Sequence, residues 1–339
     1  MIFAIHTEPG PRAKIALTVA SFALPLLLWC LVSYNSHVWH PMMRITSAGD
    51  VSWMQEGTLV EHDVFDAENA RMVQSELLPA QGIAANPVYL PAPHEVALAF
   101  YKAFVTPPQR EGDPWLHESL LHSIRTIMWG FLLSALVGIP LGVLCGSFPV
   151  LRQLSEPFIE FFRYLPAPAF GALAVAVLGI SDAPKIAIIF IGTFFQQVLV
   201  VANTTRRFDP ALLEASQTLG ASRLRILFRV IIPGILPELY RDQRILLGWA
   251  WTYLIVAEVV GESTGITWFI NQQAKYRLFD NVYAAILIIG IVGLLTDLIL
   301  AAVGRNLFPW TGVARHKPVQ QAITWWNNLP MRNTRDDQE

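Results

Sequence analysis

The chain is short of charge, of cysteine and of every common catalytic signature. Charged residues make up 15% of its 339 positions, against about 25% in an ordinary soluble domain. With 53% apolar residues, a water-soluble enzyme is excluded and residence in a membrane is the first inference. The formal net charge of -2 leaves no excess of cations for a nucleic-acid backbone, so no nucleic-acid partner is expected. Only two cysteines occur, Cys30 and Cys145, each inside an apolar run. That excludes a disulfide framework and a thiolate metal site. The eight histidines show no HExxH or comparable spacing, so no metal ligand set is expected. His117 and His122, near a span entrance, are read as interfacial. No GxxxxGK[ST] phosphate loop is present. The chain therefore has no such device for ATP, and if ATP and Mg drive it they sit on another subunit.

What the chain does have is long apolar runs. Ile15 to Tyr34 is the first, followed by runs near 120–147, 157–180, 185–204, 236–260 and 281–304. Each is long enough at ~1.5 Å per helical residue to cross a hydrocarbon layer of about 30 Å. The first run follows Arg12 and Lys14 as a secretory signal would. Its apolar core is too long for one, however, and no small-x-small cleavage site follows, so it is read as an uncleaved span.

The expected organisation is a cytoplasmic N-terminus and first span (1–35), an extracytoplasmic insertion with an interfacial helix (36–118), a membrane core (119–310), and a polar tail (311–339). In the insertion, 36–86 reads as irregular apart from an amphipathic helix over Asp66 to Leu78. Residues 90–104 read as a proline-led turn and an interfacial helix bearing Val96, Leu98, Ala99 and Phe100. Arg12, Lys14, Arg152, Arg206, Arg207, Arg223, Arg225, Arg229, Arg305, Arg315 and Lys317 all fall on one side of this arrangement. The bias of basic residues makes that side cytoplasmic and sets both termini there.

One polar, arginine-rich island interrupts the apolar chain: EASQTLGASRLRILFRVIIPGILP, Glu214 to Pro237. Asp209 is suited to cap a helix and Pro210 to open it. Gly220 can end that helix in a left-handed conformation. A second short helix starts after Ser222, and Pro233 and Pro237 are expected to interrupt or redirect it. Read from composition alone, the island is a surface loop whose arginines hold topology.

Its spacing resembles the EAA loop of ATP-binding-cassette (ABC) importer permeases. The segments LPAPHEV (90–96), GFLLSALVGIPLGVLCG (130–146), FFRYLPAPA (161–169), AEVVGESTGITWFI (257–270) and GIVGLLTDLIL (290–300) extend the resemblance over roughly 88–310, toward the nitrate, sulfonate, taurine and bicarbonate branch. The resemblance implies an all-α polytopic protein with the six-helix type I importer permease fold, in an inner membrane of bacterial type. It implies two ATPase subunits, an extracytoplasmic substrate-binding protein and a second permease copy as partners. It also implies that Glu214, Ala215, Ser216, Gly220, Ala221, Arg225 and Pro233 couple to the ATPases, Ser216 standing where alanine is commoner.

Polar residues within apolar spans are functional suspects because desolvating them is costly. Arg163 is expected to pair with Glu160, one helical turn away. Pro166, with Pro168 and Gly171, loosens the third span: either a packing kink or backbone turned to a ligand. Gln196 and Gln197 either bridge helices or line a pore. Tyr253 is a packing residue or a pore-lining one. Glu258, with Glu262, either forms an outer gate or binding-protein contact or lies exposed at the interface. Asp297 is expected to serve as a structural partner near the inner surface. The rival function is an ion-coupled secondary transporter or channel with no ATPase, which would need inverted repeats or discontinuous helices around buried charges.

Overall fold

A computed structural model describes residues 10–35, 39–108, 113–260 and 264–311. The chain runs α1 (Pro11–Tyr34), β1 (Met42–Ser47), β2 (Leu59–Glu61), α2 (His62–Gln74), β3 (Gln81–Ala85) and α3 (Pro93–Val105). It continues through α4 (Leu116–Ser147), α5 (Pro149–Arg163), α6 (Gly171–Leu178), α7 (Asp182–Arg206), α8 (Pro210–Thr218) and α9 (Arg223–Ile226). The last elements are α10 (Ile232–Val259), α11 (Ile266–Lys275) and α12 (Phe279–Leu307). Two compact units emerge, one of residues 1–120 with 265–289, the other of 121–264 with 290–339.

In the first unit, 42–85 is not irregular. Three antiparallel strands in the order β2-β1-β3 carry α2. Met43, Ile45, Val51, Met54, Phe65 and Ala80 form a core of their own beneath it. The strands are three to six residues long, too short to show as alternation in the sequence. The amphipathic helix starts at His62 rather than Asp66, because Glu61 still belongs to β2. The all-α expectation thus holds for the spans, and this module adds a small sheet.

α3 opens at Pro93, and the Glu95 carboxylate accepts the Ala92 N–H at 2.8 Å. Val96 and Ala99 bury against Ala284 of α12, flanked by Trp29 of α1. Trp29 also donates its indole N–H to the Pro91 carbonyl at 3.1 Å. Before Trp29, α1 is largely exposed, with Ile15, Phe22, Leu24 and Leu27 open. An apolar helix without a polar face is stable only where lipid replaces water.

The second unit is built on α4, α7 and α10. Along α4 a small residue recurs every fourth position: Gly130, Ser134, Gly138, Gly142, Gly146. These face Ile189, Gln197, Val201 and Thr205 of α7. A β-carbon added at Gly142 would sit 2.6 Å from Val201 Cβ, and one at Gly146 would sit 2.5 Å from Thr205 Cβ. Between spans, where lipid is as apolar as the side chains, close backbone approach of this kind drives association.

Among the described residues, four helices are long and apolar enough to cross a membrane unaided: α1, α4, α7 and α12. The third expected span is a broken one, because α5 and the helix starting at Ala167 meet at 88°. Pro166 and Pro168 occupy the break, and Gly171 admits the Val260 side chain, which would lie 2.6 Å from an added β-carbon. The fifth expected span, α10, is continuous, but Glu238, Arg241, Asp242 and Arg244 make its first half too charged to qualify by composition.

Candidate functional site

The island folds largely as its punctuation dictates. Asp209 accepts the Ala211 N–H at 2.9 Å and caps α8, with Pro210 at its first position. At the other end Gly220 takes φ +75°. There Ala221 N–H bonds Ser216 O at 3.1 Å and Gly220 N–H bonds Gln217 O at 2.9 Å. This pair of bonds is a Schellman closure, which needs a left-handed residue at the glycine position. α8 has no buried residue, and Glu214, Ala215 and Gly220 are exposed, as is Leu219 at 86%. The hydroxyls of Ser216 and Thr218 bond back to Leu212 O (2.7 Å) and Glu214 O (2.9 Å). They leave the outer face to Glu214, Ala215 and Gln217.

The second half of the island departs from expectation. Ser222 makes no side-chain cap, and Pro233 and Pro237 do not interrupt the helix. α9 passes through a π-turn, Leu227–Ile231, straight into α10, with Pro233 in its first turn. A wider i→i+5 turn ahead of a proline accommodates the missing donor and the ring's clash with the preceding turn. The island is therefore one free short helix followed by the root of a long one. Arg225 and Pro233 are exposed on that root, while Ala221 is half-buried.

Leu213, Phe208 and Ala221 connect α8 to the interior. They pack on a cluster of Val143 from α4, Val201 from α7, Ile226, Leu227 and Ile231 from the root, and Ile235 and Leu239 from α10. Gly234 lets the Phe208 ring approach into the space that an added β-carbon would fill. One exposed helix is thus docked by a few apolar contacts onto the point where three long helices converge.

The remaining polar suspects separate clearly. Gln197 is fully buried, accepts from Ser134 on α4 and donates to Gln243 on α10. It bridges three helices, whereas its neighbour Gln196 is only half-buried. Thr204 donates to Asp242, a second α7–α10 link. Arg163 does not pair with Glu160; its guanidinium lies over the exposed Tyr164 ring, 4.9 Å from the centroid, and donates to the phenol oxygen at 3.0 Å. Glu156 pairs with Arg206 instead. Glu160 and Arg163 both lie within α5, so the helical spacing is available, and the adjacent Tyr164 ring takes the guanidinium instead. Pro166 stands at that break, before the 3-10 turn Ala167–Phe170. Tyr253 packs its ring on Gly192 of α7. Glu258 is not at an exposed interface: it is 3% exposed and accepts from Ser123 of α4. Glu262 lies outside the described residues. Asp297 has the structural role expected, taking Arg244 in a two-pronged grip at 2.9 to 3.1 Å.

Sequence reading missed a polar knot at the start of α7. The Lys185 side chain is fully buried, with Nζ 3.1 Å from Asp182 Oδ1 and 2.6 Å from Thr264 Oγ1. His122 Nε2 reaches the same Asp182 oxygen at 3.0 Å and Thr264 at 3.2 Å. His122 is therefore part of a charged network joining α4, α7 and the segment after α10, not a solvated interfacial residue. A signal existed: lysine three residues after aspartate at a span entrance, in a chain with so few charges. No cluster among the described residues could hold a metal ion.

Residues 138–310 match the family of binding-protein-dependent transport system inner membrane components. The taurine transport system permease TauC of Escherichia coli K12 is 33% identical over 227 residues, 67% of this chain and 82% of that one. The chain belongs to this family. It is an ABC importer permease, of the branch that contains the taurine, sulfonate, nitrate and bicarbonate relatives. The putative aliphatic sulfonates permease SsuC of Bacillus subtilis is 30% identical, covering 65% of this chain and 78% of that relative. The nitrate import permease NrtB of Synechocystis is 28% identical, covering 65% and 81%. Among solved structures, a chain of the MetNI methionine ABC transporter, in an inward-facing form, superposes with a TM-score of 0.52 at 20% identity. It covers 58% of this chain and 99% of that one, so the permease has the type I importer fold. The family match holds α8, Gln197 and Lys185, while the sheet module at 42–85 lies outside it.

Proposed function

We propose that this permease imports a small solute bearing an anionic group, of the class of sulfonates, taurine, nitrate or bicarbonate, on power supplied by other chains. Two ATPase subunits hold ATP and Mg, an extracytoplasmic binding protein delivers the cargo, and a second copy of the permease completes the pathway. The named relatives motivate the cargo class. The observation that carries the coupling is α8: capped at both ends, without a buried residue, and touching the spans through Leu213 and its flanks.

A helix so built is a lever. The Asp209 cap and the Gly220 closure keep it intact under load, and its outer face, with Glu214, Ala215 and Gln217, is offered to a subunit groove. When two ATPases close on ATP, α8 is displaced as a rigid body. The shift passes through Leu213 into Val143, Val201, Ile235 and Leu239, on three different helices. Because α4, α7 and α10 are stitched by Ser134–Gln197–Gln243 and Thr204–Asp242, they move together rather than flex. Alternating access then follows by rigid-body rearrangement. The bias of basic residues sets α8 and both termini on the cytoplasmic side.

The test is reconstitution in liposomes with the ATPase and binding protein. The permease should co-purify with the ATPase, and loaded binding protein should stimulate hydrolysis. Glu214→Lys should abolish uptake while leaving membrane insertion intact. Normal uptake by that variant would sink the coupling role, and uptake without any ATPase would favour an ion-coupled transporter.

A further inference from the structure

A polar cavity lies in the first unit, largely outside the segment that matches the permease family. A cavity of about 350 Å³ lies among the end of α1, strands β1 and β3, the start of α3 and the α11–α12 turn. That volume is in the range of small-molecule pockets, about 300–1,000 Å³. Its chemistry is what marks it as a site.

Three polar atoms of residues lining it are buried without a hydrogen-bond partner: Ser33 Oγ, His40 Nδ1 and Asn86 Oδ1. Ser33 is 5% exposed. Orphaned buried polar groups are costly and call for an occupant. Their hydrogen-bonding sense is legible. His40 Nε2 lies 3.3 Å from the Ser33 carbonyl, which can only accept, so Nε2 carries a proton, and with the ring neutral Nδ1 is then an acceptor. Asn86 Oδ1 is an acceptor as well. These atoms ask for N–H or ammonium donors.

The same cavity is lined by two guanidinium groups, Arg44 and Arg277. Arg44 is held only loosely, 3.7 Å from Glu95, whose other oxygen is committed to the Ala92 N–H. Arg277 has no ion-pair partner among the described residues, and it sits at φ +58°. It closes α11 in the same way that Gly220 closes α8: Leu278 N–H bonds Gln273 O at 2.9 Å and Arg277 N–H bonds Ala274 O at 3.0 Å. That position normally takes glycine, because a β-carbon is strained there. An arginine in a left-handed closure, facing a cavity, is a strained residue of the kind found at ligand sites. Asp280, three residues on, lines the same cavity and supplies a carboxylate.

We infer that this cavity binds a small zwitterionic organic acid, its acidic group on Arg277 and Arg44 and its ammonium group toward Asp280, Asn86 and His40. The assignment is independent of the coupling role of α8. A purely anionic ligand would leave the two acceptors unpaired, and a purely cationic one would face two arginines.

The test is titration calorimetry on the full chain in lipid nanodiscs, with taurine as the zwitterionic probe, ethanesulfonate as the acid alone and ethylamine as the amine alone. Saturable taurine binding is expected, with each half-probe at least about tenfold weaker, the loss of one charge-assisted pair. Arg277→Gly should lose at least about tenfold in taurine affinity while its thermal midpoint stays or rises, since glycine relieves the strained closure. Opposite movement of affinity and stability separates a lost contact from a damaged fold. Glu214→Lys should leave this binding unchanged, so its survival or loss is read apart from transport. No saturable taurine binding, equal binding of ethanesulfonate, or full affinity in Arg277→Gly would each overturn the assignment.

Discussion

Gly142→Ala is the sharpest probe of how the spans are held. The new methyl carbon would lie 2.6 Å from Val201 Cβ, and 2.8 Å from both the Val198 carbonyl oxygen and Val201 Cγ1. Carbon atoms settle at about 3.5–4.0 Å, so α4 and α7 must part by roughly 1 Å. Backbone forms part of the obstruction, so rotamer changes cannot absorb it. Overpacking of this sort costs about 1–3 kcal/mol, and the contact with backbone places this case near the upper figure. Replacing glycine by alanine inside a helix returns about 1 kcal/mol. The net loss is about 2 kcal/mol, a fall of roughly 4–8 °C in thermal midpoint at 2–4 °C per kcal/mol. A natural reporter sits beside the stripe: Cys145, 1% exposed on α4. In a Cys30→Ser background, a thiol-reactive dye should label Cys145 at lower temperature in Gly142→Ala. Gly293→Ala is the control, because nothing lies within 4 Å of its added carbon, and its midpoint should hold or rise. If Gly142→Ala melts with the parent protein, or Gly293→Ala falls as far, close packing of α4 on α7 is not what binds these helices.

Gly220→Val meets no neighbour within 4 Å, so its cost is the left-handed strain alone, about 1–2 kcal/mol. Dye-based melting should shift modestly while reconstituted uptake is lost, and retained uptake would remove α8 from the drive train. Gln197→Leu strips the partners from Ser134 and Gln243 inside the bundle and should cost about 1–3 kcal/mol; a melting curve matching the parent would mean that the bridge is idle. Asp182→Asn should destabilise by about 3 kcal/mol, the low end for a broken buried pair, because it leaves the fully enclosed Lys185 ammonium without its counter-charge. Lys185→Ala should cost less, because it removes that charge and leaves Asp182, whose side chain is 44% exposed and still reached by His122. The reverse order in a melting assay would refute the view that desolvation of the lysine governs this knot.

The island was legible because its signals are local. Asp209, Pro210 and Gly220 act through their own backbone geometry, and the structure bears out the cap, the start and the closure of α8 within a residue. Pro233 misled for a related reason. Proline removes one donor wherever it sits, but whether the helix breaks depends on the turn before it, and here a π-turn absorbs the defect. The sheet at 42–85 was hidden by the shortness of its strands, whose stability comes from a six-residue core that α2 closes from above. The Arg163–Glu160 pairing failed although both residues lie in α5, because helical spacing permits a pair without selecting it over the adjacent Tyr164 ring.

By itself the sequence determined what local chemistry and composition control. It specified a membrane-resident helical chain and a short capped helix at 210–220, and it carries no GxxxxGK[ST] phosphate loop. The tertiary structure alone decided which polar residues meet. Gln197, Lys185, His122 and Glu258 are spread over more than 130 positions, and nothing in their spacing says that they become bridges between α4, α7 and neighbouring segments. A lone polar residue in an apolar run has the same desolvation cost whether it lines a pore or joins two helices. Only the partner across the interface, set by the glycine stripe that brings the backbones together, decides between the two.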